Sequence, residues 1–191
     1  MTVGATGDDG EDVSGKVAAR PYPVNLDIRG RLAVVVGGGR VAARKVASLL
    51  RSGARVTVIS PTLDPRIAGE AKRGRVTWVD KPYKSGDNSH RGDEGGVAGD
   101  DVGDDTGLAG AFIVIACTDD PEANARAVRD AKAAGVPLVN NAADPAQSNF
   151  GNVAVTEQDG LMITVSTYGR DPSRARRMKE RIARWLSSGS R

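Results

Sequence analysis

Short runs of consecutive apolar residues, most of them β-branched, alternate with segments of helical spacing between residues 32 and 140 of this 191-residue chain. Such runs are typical of strands buried on both faces, and their alternation with helices indicates βαβ units in a mostly parallel sheet. We therefore predict an α/β fold. The predicted strands are residues 32–36, 55–60, 76–79, 111–118 and 137–140, and the predicted helices are 41–50, 64–73 and 121–134.

The pattern changes after residue 150. Residues 153–158 and 161–167 are predicted to be two strands joined by Asp159-Gly160, a strong hairpin signal. A helix is predicted from Asp171-Pro172 onward, with Asp as N-cap and Pro in its first turn. A hairpin and one helix are too small to fold alone, so we predict a dimerisation module at 151–191 that packs on a second copy. The apolar stripe of its helix is Ala175, Met178, Ile182, Trp185 and Leu186.

Two segments are poor in residues that form a core. Residues 1–20 contain four Gly and four acidic residues, and we predict a disordered tail there. Residues 84–110 contain eight Gly, seven acidic and two basic residues, and we predict a low-complexity surface insertion that contributes nothing to the core. The sheet domain is then 21–150, with this insertion inside it.

Composition excludes several classes of protein. One Cys and one His leave no cluster for a metal site and no intramolecular disulfide, and they argue against a Ser-His-Asp triad. The acidic N-terminus lacks the apolar stretch of a secretory signal, and no apolar run approaches the ~20 residues of a membrane span. A net charge of +3 is too small to indicate nucleic acid. We expect a cytoplasmic protein with no resident metal and no membrane or nucleic-acid partner.

The strongest local signal is the turn after the first strand, GGGRVA at residues 37–42. Read as G-x-G-x-x-A between a buried strand and a helix, it fits the dinucleotide fingerprint. Gly37 permits the tight turn, Gly39 lets a pyrophosphate approach the backbone, and Ala42 lets helix and strand pack closely. The helix N-terminus offers unpaired N–H groups to the phosphates. We predict a Rossmann-type parallel sheet with helices on both faces that binds NAD. The residues predicted to bind it here are Gly37, Gly38, Gly39, Arg40 and Val41.

Polar residues follow other predicted strands, at the edge where parallel sheets bind ligands. The second strand ends without the acid that usually holds a ribose of NAD. Ser60, Pro61 and Thr62 stand there instead, as a less selective ribose site or as a helix cap, which leaves the choice between NAD and NADP open. Thr118 and Asp119 follow the fourth strand and are predicted to line the cofactor crevice; the alternative is that the acids there only cap the next helix.

Three further features have both a functional and a plain interpretation. Asp144, after the fifth strand, is the candidate general base or acid, and the alternative is an ordinary turn. Cys117 is interpreted as a small buried hydrophobe rather than a nucleophile. The final helix carries six basic residues between 174 and 184, beginning with Arg174, which either bind an anionic substrate or form a solvated face.

Several stretches together resemble one family. They are residues 22–26 (YPVNL), 34–45 (VVVGGGRVAARK), 53–58 (GARVTV), 116–120 (ACTDD) with Asn124, 139–140 (VN) and 166–172 (STYGRDP). Over residues 22–186, apart from the insertion, the chain is similar to the precorrin-2 dehydrogenase family, the NAD-dependent module of siroheme synthases. The combination of the glycine stretch with 166–172 is specific, whereas either alone is not.

The resemblance implies oxidation of precorrin-2 to sirohydrochlorin with NAD as hydride acceptor, and a homodimer formed through the hairpin and helix. Some members of the family also insert ferrous iron. By position, the cofactor contacts fall on the residues already predicted after the first, second and fourth strands. Ser166 and Thr167 fall at the substrate cleft, and a substrate rich in carboxylates gives the basic helix a function. The residues expected to bind substrate are Asn140, Ser166, Thr167 and Arg174.

One departure from the family pattern affects the chemistry. Members often carry a key Asp two residues before the Pro of an N-x-x-D-x-P stretch, and alignment on Asn140, Pro145 and Phe150 puts Ala143 at that position, with Asp144 one residue later. Either Asp144 takes the role or the role is absent, which makes iron insertion the weaker expectation. The alternative function is a regulatory module that senses NAD without catalysis, and a third is a carrier or chelatase for the product tetrapyrrole.

Overall fold

The computed structural model describes residues 21–84 and 107–189. The tail predicted for 1–20 and most of the predicted insertion, 85–106, lie outside these residues. In its described part the chain divides into two compact units, of which the first is Asp27–Asn152.

A five-stranded parallel sheet forms the first unit, in the order β3-β2-β1-β4-β5. The helices that connect the strands confirm the predicted α/β, Rossmann-type class. The strands are β1 (Leu32–Val36), β2 (Arg55–Ile59), β3 (Val76–Val79), β4 (Ile113–Ala116) and β5 (Leu138–Asn141). The helices are α1 (Arg40–Arg51), α2 (Pro65–Lys72) and α3 (Pro121–Ala133), and a short 3₁₀ turn covers Pro145–Gln147.

The register aligns the carboxyl ends of the strands. Val36, the last residue of β1, pairs with Ile59 of β2 and with Ala116 of β4. Ala116 in turn pairs with Asn141, the last residue of β5. The polar residues that follow these strands therefore start from one common edge, which is where ligands bind in sheets of this type.

Helices cover both faces of the sheet, as predicted. On one face Val35 of β1 packs in a core that includes Val46 of α1 and Ile67 of α2. On the other face the neighbouring Val34 packs with Ala127 of α3. Because successive side chains of a strand point to opposite faces, a continuously apolar β1 is the sequence that this three-layer arrangement requires.

The predicted boundaries of the fourth strand and of the insertion need correction. The strand begins at Ile113, because the chain first makes a turn in which the Ala111 N–H donates to the Leu108 carbonyl at 3.0 Å. Leu108 itself is fully buried in the core on the α3 face. The prediction that residues 84–110 contribute nothing to the core was therefore wrong at Leu108, since a single large apolar side chain next to a strand is enough to enter the core.

The second unit joins residues 21–26 with 153–189. Strands β6 (Ala154–Gln158) and β7 (Leu161–Val165) are antiparallel and enclose the predicted Asp159-Gly160 turn. Both turn residues have positive φ, 52° and 77°, which suits the right-handed twist of a hairpin. Helix α4 (Pro172–Gly189) follows and packs against the hairpin.

The apolar stripe predicted for α4 is only partly covered. Ala175 is buried, but Trp185 is 69% exposed. One hairpin and one helix supply too little surface to enclose an indole ring. In the part of the chain that the structure describes, no helix has the length and apolarity needed to cross a membrane.

Candidate functional site

The turn after β1 is tight at Gly37. Its φ is +112°, its N–H donates to the Ile59 carbonyl at 2.9 Å, and a Cβ at this position would lie 2.9 Å from the backbone of Cys117. Only glycine adopts this conformation without strain. The role predicted for Gly37 is therefore consistent with the local geometry.

The next two glycines differ in what surrounds them. A Cβ on Gly38 would collide with the Thr62 carbonyl oxygen, so Gly38 is required by the packing of the turn against the loop after β2. The Asp64 N–H also donates to the Gly38 carbonyl at 2.7 Å, which ties the two loops together. No atom lies within 4 Å of a Cβ built on Gly39, which is solvent-exposed. The open space for a ligand is above Gly39.

Helix α1 begins at this open space without a side-chain cap. Its N-cap is Gly39, whereas Asp64 and Asp120 cap α2 and α3 through their carboxylates. The first turn of a helix carries N–H groups with no partner inside the helix, together with a partial positive charge. A phosphate seated over Gly39 would supply both the missing acceptor and the charge, so the residues fit a pyrophosphate.

The loop after β2 is held by its own hydrogen bonds. The Ser60 hydroxyl donates to the Thr62 carbonyl at 2.8 Å, and the Trp78 indole N–H donates to the Ser60 carbonyl at 2.8 Å. Ser60 is buried, while Pro61 and Thr62 are exposed. The Ser60 hydroxyl proton is thus engaged within the loop, and Thr62 is the exposed hydroxyl-bearing residue there.

The loop after β4 is organised by a buried amide. Asn124 of α3 is fully buried, and its Oδ1 accepts the Thr118 N–H at 2.8 Å while its Nδ2 donates to the Thr118 carbonyl at 3.1 Å. Asp120 caps α3, as the plain interpretation expected, and Asp119 stays exposed. The sequence marked Asn124 only as part of a motif, and no local signal gave it a role, because its partner Thr118 lies six residues earlier, outside the helix.

Two asparagines end β5 with different tasks. Asn141 accepts the N–H groups of Ala143 and Asp144 on its Oδ1, at 3.0 and 3.2 Å. Asn140 donates through Nδ2 to the Phe150 carbonyl at 3.0 Å, while its Oδ1 is buried and has no partner among the described residues. Buried polar atoms are nearly always paired, so this oxygen is a candidate acceptor for a ligand N–H.

Asp144 is the N-cap of the short 3₁₀ turn. Its Oδ1 accepts the Ala146 N–H at 3.0 Å, and its Oδ2 accepts the Gln147 side-chain N–H at 2.9 Å. The plain interpretation of Asp144 therefore holds in the structure. Each carboxylate oxygen has a second lone pair, so the cap does not prevent Asp144 from also accepting a proton.

Cys117 and Lys45 form a partly desolvated pair beneath the glycine turn. Burial raises the pKa of the Cys117 thiol to about 11, against a smaller opposing effect of the Lys45 charge. Burial also lowers the pKa of Lys45. A thiol that stays protonated is a poor nucleophile, which agrees with the interpretation of Cys117 as a small buried hydrophobe.

A separate hollow of about 410 Å³ lies in the second unit, lined in part by Ser166, Thr167 and Arg174. Ser166 Oγ accepts the Tyr168 N–H at 3.0 Å, and the Thr167 hydroxyl donates to the Asp171 carbonyl at 2.8 Å. Arg174 is exposed and has no ion-pair partner among the described residues. Three of the residues predicted to bind substrate thus share this hollow, whereas Asn140 belongs to the first unit.

Metal binding has no support in the described residues 21–84 and 107–189. No group of three or more His, Cys, Asp or Glu side chains there is placed to hold an ion.

Comparisons with known proteins agree with this geometry. Residues 24–154 match a family model described as NAD(P)-binding. Siroheme synthase 1 of Aeromonas salmonicida is 32% identical over 160 residues, which is 84% of this chain and 30% of that protein. Siroheme synthase of Methylobacillus flagellatus is 33% identical over the same length, with the same coverage. The chain spans about a third of the length of these curated relatives.

One solved structure covers more of the fold. It is that of SirC, a precorrin-2 dehydrogenase, which is 27% identical with a TM-score of 0.63. The match covers 90% of this chain and 72% of that chain. The similarity therefore extends over both units rather than over the sheet alone.

Proposed function

Because this chain belongs to the NAD(P)-binding family whose model matches residues 24–154, we propose that it is an NAD-dependent dehydrogenase that oxidises precorrin-2 to sirohydrochlorin. The observation that carries the proposal is the uncapped start of α1 beneath an unobstructed Gly39. The similarity of the whole fold to a precorrin-2 dehydrogenase supports the choice of substrate. A cytoplasmic location is part of the proposal, as is usual for an NAD-linked biosynthetic step.

The residues of the sheet edge suit a dinucleotide. The amides at the start of α1 and Gly39 are proposed to hold the pyrophosphate, Thr62 a ribose, and Thr118 with Asp119 the far wall of the crevice. When bound, NAD supplies the acceptor for a hydride. Asn124 keeps the Thr118 peptide in one orientation, which positions that wall before the ligand arrives.

The reaction also needs a proton acceptor. Precorrin-2 loses two electrons and one hydrogen as hydride, and a second hydrogen leaves as a proton. We assign the proton to Asp144, whose backbone N–H is fixed by Asn141 Oδ1. If the stretch is counted from Asn141 instead of Asn140, Asp144 occupies the acidic position of N-x-x-D. Asp144 is then followed directly by Pro145, whereas the family pattern has one residue between its Asp and its Pro. This register supports Asp144 over Ala143 as the residue with the family role.

The substrate residues divide by the groups they suit. Asn140 has its amide nitrogen engaged with Phe150, so only an acceptor remains, which fits an N–H donor and not a carboxylate. Arg174 has no ion-pair partner among the described residues, lies at the hollow beside Ser166 and Thr167, and has a planar fork that fits a carboxylate. Taking each unit by itself, we propose that Asn140 suits a ring N–H of a tetrapyrrole and that Arg174 suits a carboxylate.

A homodimer is proposed from the second unit. Among its described residues, Val155, Leu161, Met162 and Trp185 are all at least 40% exposed. A hairpin with one helix does not reach stability with such surface in water, and a second copy would cover it. The dimer is formed by residues of this unit in the proposal.

The test is a turnover assay under anaerobic conditions without metal. The full-length protein is mixed with enzymatically generated precorrin-2 and NAD, and absorption is followed for sirohydrochlorin and for NADH. The proposal expects the two products to grow in equal amounts. Binding of NAD without any spectral change would instead support a sensing module, and no binding of NAD would remove the cofactor site itself. The proposal concerns the dehydrogenation and makes no claim on iron insertion.

A further inference from the structure

The end of β2 is where coenzyme preference is usually decided. In sheets of this type an acid at this position accepts hydrogen bonds from the ribose hydroxyls of NAD and repels the 2′-phosphate of NADP. Here Ser60, Pro61 and Thr62 follow the strand, and the first acid is Asp64. What matters is therefore whether the Asp64 carboxylate is available to the ribose.

The structure shows that the Asp64 carboxylate is committed elsewhere. Its Oδ1 accepts the Arg66 backbone N–H at 3.0 Å and the Arg66 Nε–H at 2.9 Å, and its Oδ2 accepts from the second guanidinium nitrogen at 3.0 Å. Its side chain is only 10% exposed. A carboxylate that caps α2 and is paired with a bidentate Arg has its charge largely neutralised, and it repels a phosphate less than a free carboxylate does.

A second guanidinium stands on the same side. Arg40 is the first residue of α1, is exposed, and lies close enough for its charge to contribute to the low pKa of Asp64, after the larger effects of Arg66. Two positive side chains, Arg40 and Arg66, and one negative side chain, Asp64, thus lie at the loop after β2, and their net charge is positive. The loop between them is held by the Ser60–Thr62 hydrogen bond and the Gly38 contact, so it does not rearrange freely.

We propose that this site accepts a coenzyme with a 2′-phosphate as well as NAD, and that Arg40 is the residue that binds the phosphate. The inference rests on the proposed cofactor site but goes beyond the proposed use of NAD. It identifies Arg40 as a determinant of coenzyme specificity. This is possible because the ion pair with Arg66 neutralises the charge of the Asp64 carboxylate. An Arg near the ribose is the usual means by which such sheets accommodate the extra phosphate.

The test compares equilibrium binding of NAD and NADP to the full-length protein by titration calorimetry, without substrate. We expect the two dissociation constants to agree within about tenfold. In Arg40→Gln the dissociation constant of NADP should rise by about tenfold or more, since a charge-assisted contact is lost, while that of NAD changes less than about threefold. Arg44→Gln removes the same charge from an exposed position one turn further along α1, and should leave the ratio unchanged.

A third variant tests the role of Arg66. Arg66→Gln frees the Asp64 carboxylate, so NADP should bind more weakly while NAD binds at least as well. Binding of NADP more than about a hundredfold weaker than NAD in the wild type would overturn the inference and leave the proposed function intact. Equal weakening of both coenzymes in Arg40→Gln would also overturn it. If neither coenzyme binds, the proposed function fails together with this inference.

Discussion

Asn124 holds the Thr118 peptide from both sides, with its Oδ1 2.8 Å from the Thr118 nitrogen and its Nδ2 3.1 Å from the Thr118 carbonyl oxygen. The asparagine is fully buried in α3, and Thr118 is the second residue beyond β4. An amide that supplies one acceptor and one donor to the backbone N–H and carbonyl of the same residue replaces the strand pairing that ends there. The loop proposed as the crevice wall is therefore tied to a buried residue of α3.

Asn124→Leu should lower the free energy of unfolding by about 3 kcal/mol, because two buried peptide groups lose their partners. Asn149 offers a matched control: it accepts the Val139 N–H and donates to the Pro137 carbonyl, each at 2.8 Å, but is exposed. Water can replace it, so Asn149→Leu should cost about 1 kcal/mol or less. Urea unfolding measures both, and equal losses would contradict the role assigned to Asn124.

The glycine turn separates a folding requirement from a binding requirement. Gly38→Ala should destabilise the protein by about 2 kcal/mol, because the new methyl group meets the Thr62 carbonyl. A Cβ at Gly39 meets no surrounding atom of the described residues, so Gly39→Val should stay within about 1 kcal/mol of the wild type in stability and lose NAD affinity. Thermal unfolding and calorimetric titration measure the two effects. Undiminished NAD affinity in Gly39→Val would show that the pyrophosphate does not lie there.

Asp144 can be tested as a base apart from its role as a cap. Asp144→Asn keeps an oxygen for the Ala146 N–H, so stability should hardly change, while turnover of precorrin-2 should fall by about a hundredfold or more. Asp144→Ala should show the same loss of turnover and a further loss of about 1 kcal/mol in stability. NAD affinity serves as the control in both. If Asp144→Asn turned over precorrin-2 at the wild-type rate, capping the 3₁₀ turn would be the one role left for Asp144.

Cys117 predicts a dependence of stability on alkaline pH. Its folded pKa of about 11 exceeds the ordinary value of 9.0, so the folded state retains the proton more strongly. The stabilisation is complete below about pH 9 and is lost as the pH rises through the folded pKa, to about 2–3 kcal/mol in total. Burial lowers the pKa of Lys45, which adds a pH dependence of its own, so the comparison is between wild type and Cys117→Ala, which both retain Lys45. The wild type should lose more stability between pH 8 and 11 in urea unfolding, and parallel curves would contradict the prediction.

The exposed hairpin face predicts the assembly state. Exposed and half-buried residues alternate along β6 and β7, and Val155 and Met162 are among the exposed ones. Val155→Lys with Met162→Lys should shift the protein toward monomer in light scattering. Ser52→Lys with Thr77→Lys adds the same charge at exposed positions of the first unit and should not. A wild type that is monomeric at all concentrations would refute the dimer.

The fold was predictable from the sequence where only one arrangement of an element buries its apolar residues. β1 has the predicted bounds because a continuously apolar run has only one way to enter a layered core, and β3 also has the predicted bounds. The starts of three helices were marked in the sequence by Asp-Pro, since Asp caps and Pro fits the first turn: α2 after Asp64, α3 after Asp120 and α4 after Asp171. The prediction failed at Leu108, whose burial depends on contacts with residues that are distant in the sequence.

The candidate site was predictable only in outline. The glycine stretch indicated a nucleotide site, but the close contact between Gly38 and Thr62 joins residues from two loops and has no local signal. The same holds for the commitment of Asp64 to Arg66, which is visible only once both side chains are placed. Alignment on Asn140, Pro145 and Phe150 puts Ala143 at the acidic position, whereas the hydrogen bonds that Asn141 Oδ1 accepts from the Ala143 and Asp144 N–H groups are visible only in the structure.

Tyr83 and Leu108 are the last and first large apolar side chains described on either side of 85–106, and both are buried in the same core on the α3 face. Tyr83 is further fixed by its hydroxyl, which donates to Asp130 Oδ2 at 2.8 Å. The chain thus enters and leaves this stretch from two anchored points of one core. For protein engineering this is a site for domain insertion: a reporter domain inserted between the two anchors would leave the sheet's own contacts in place.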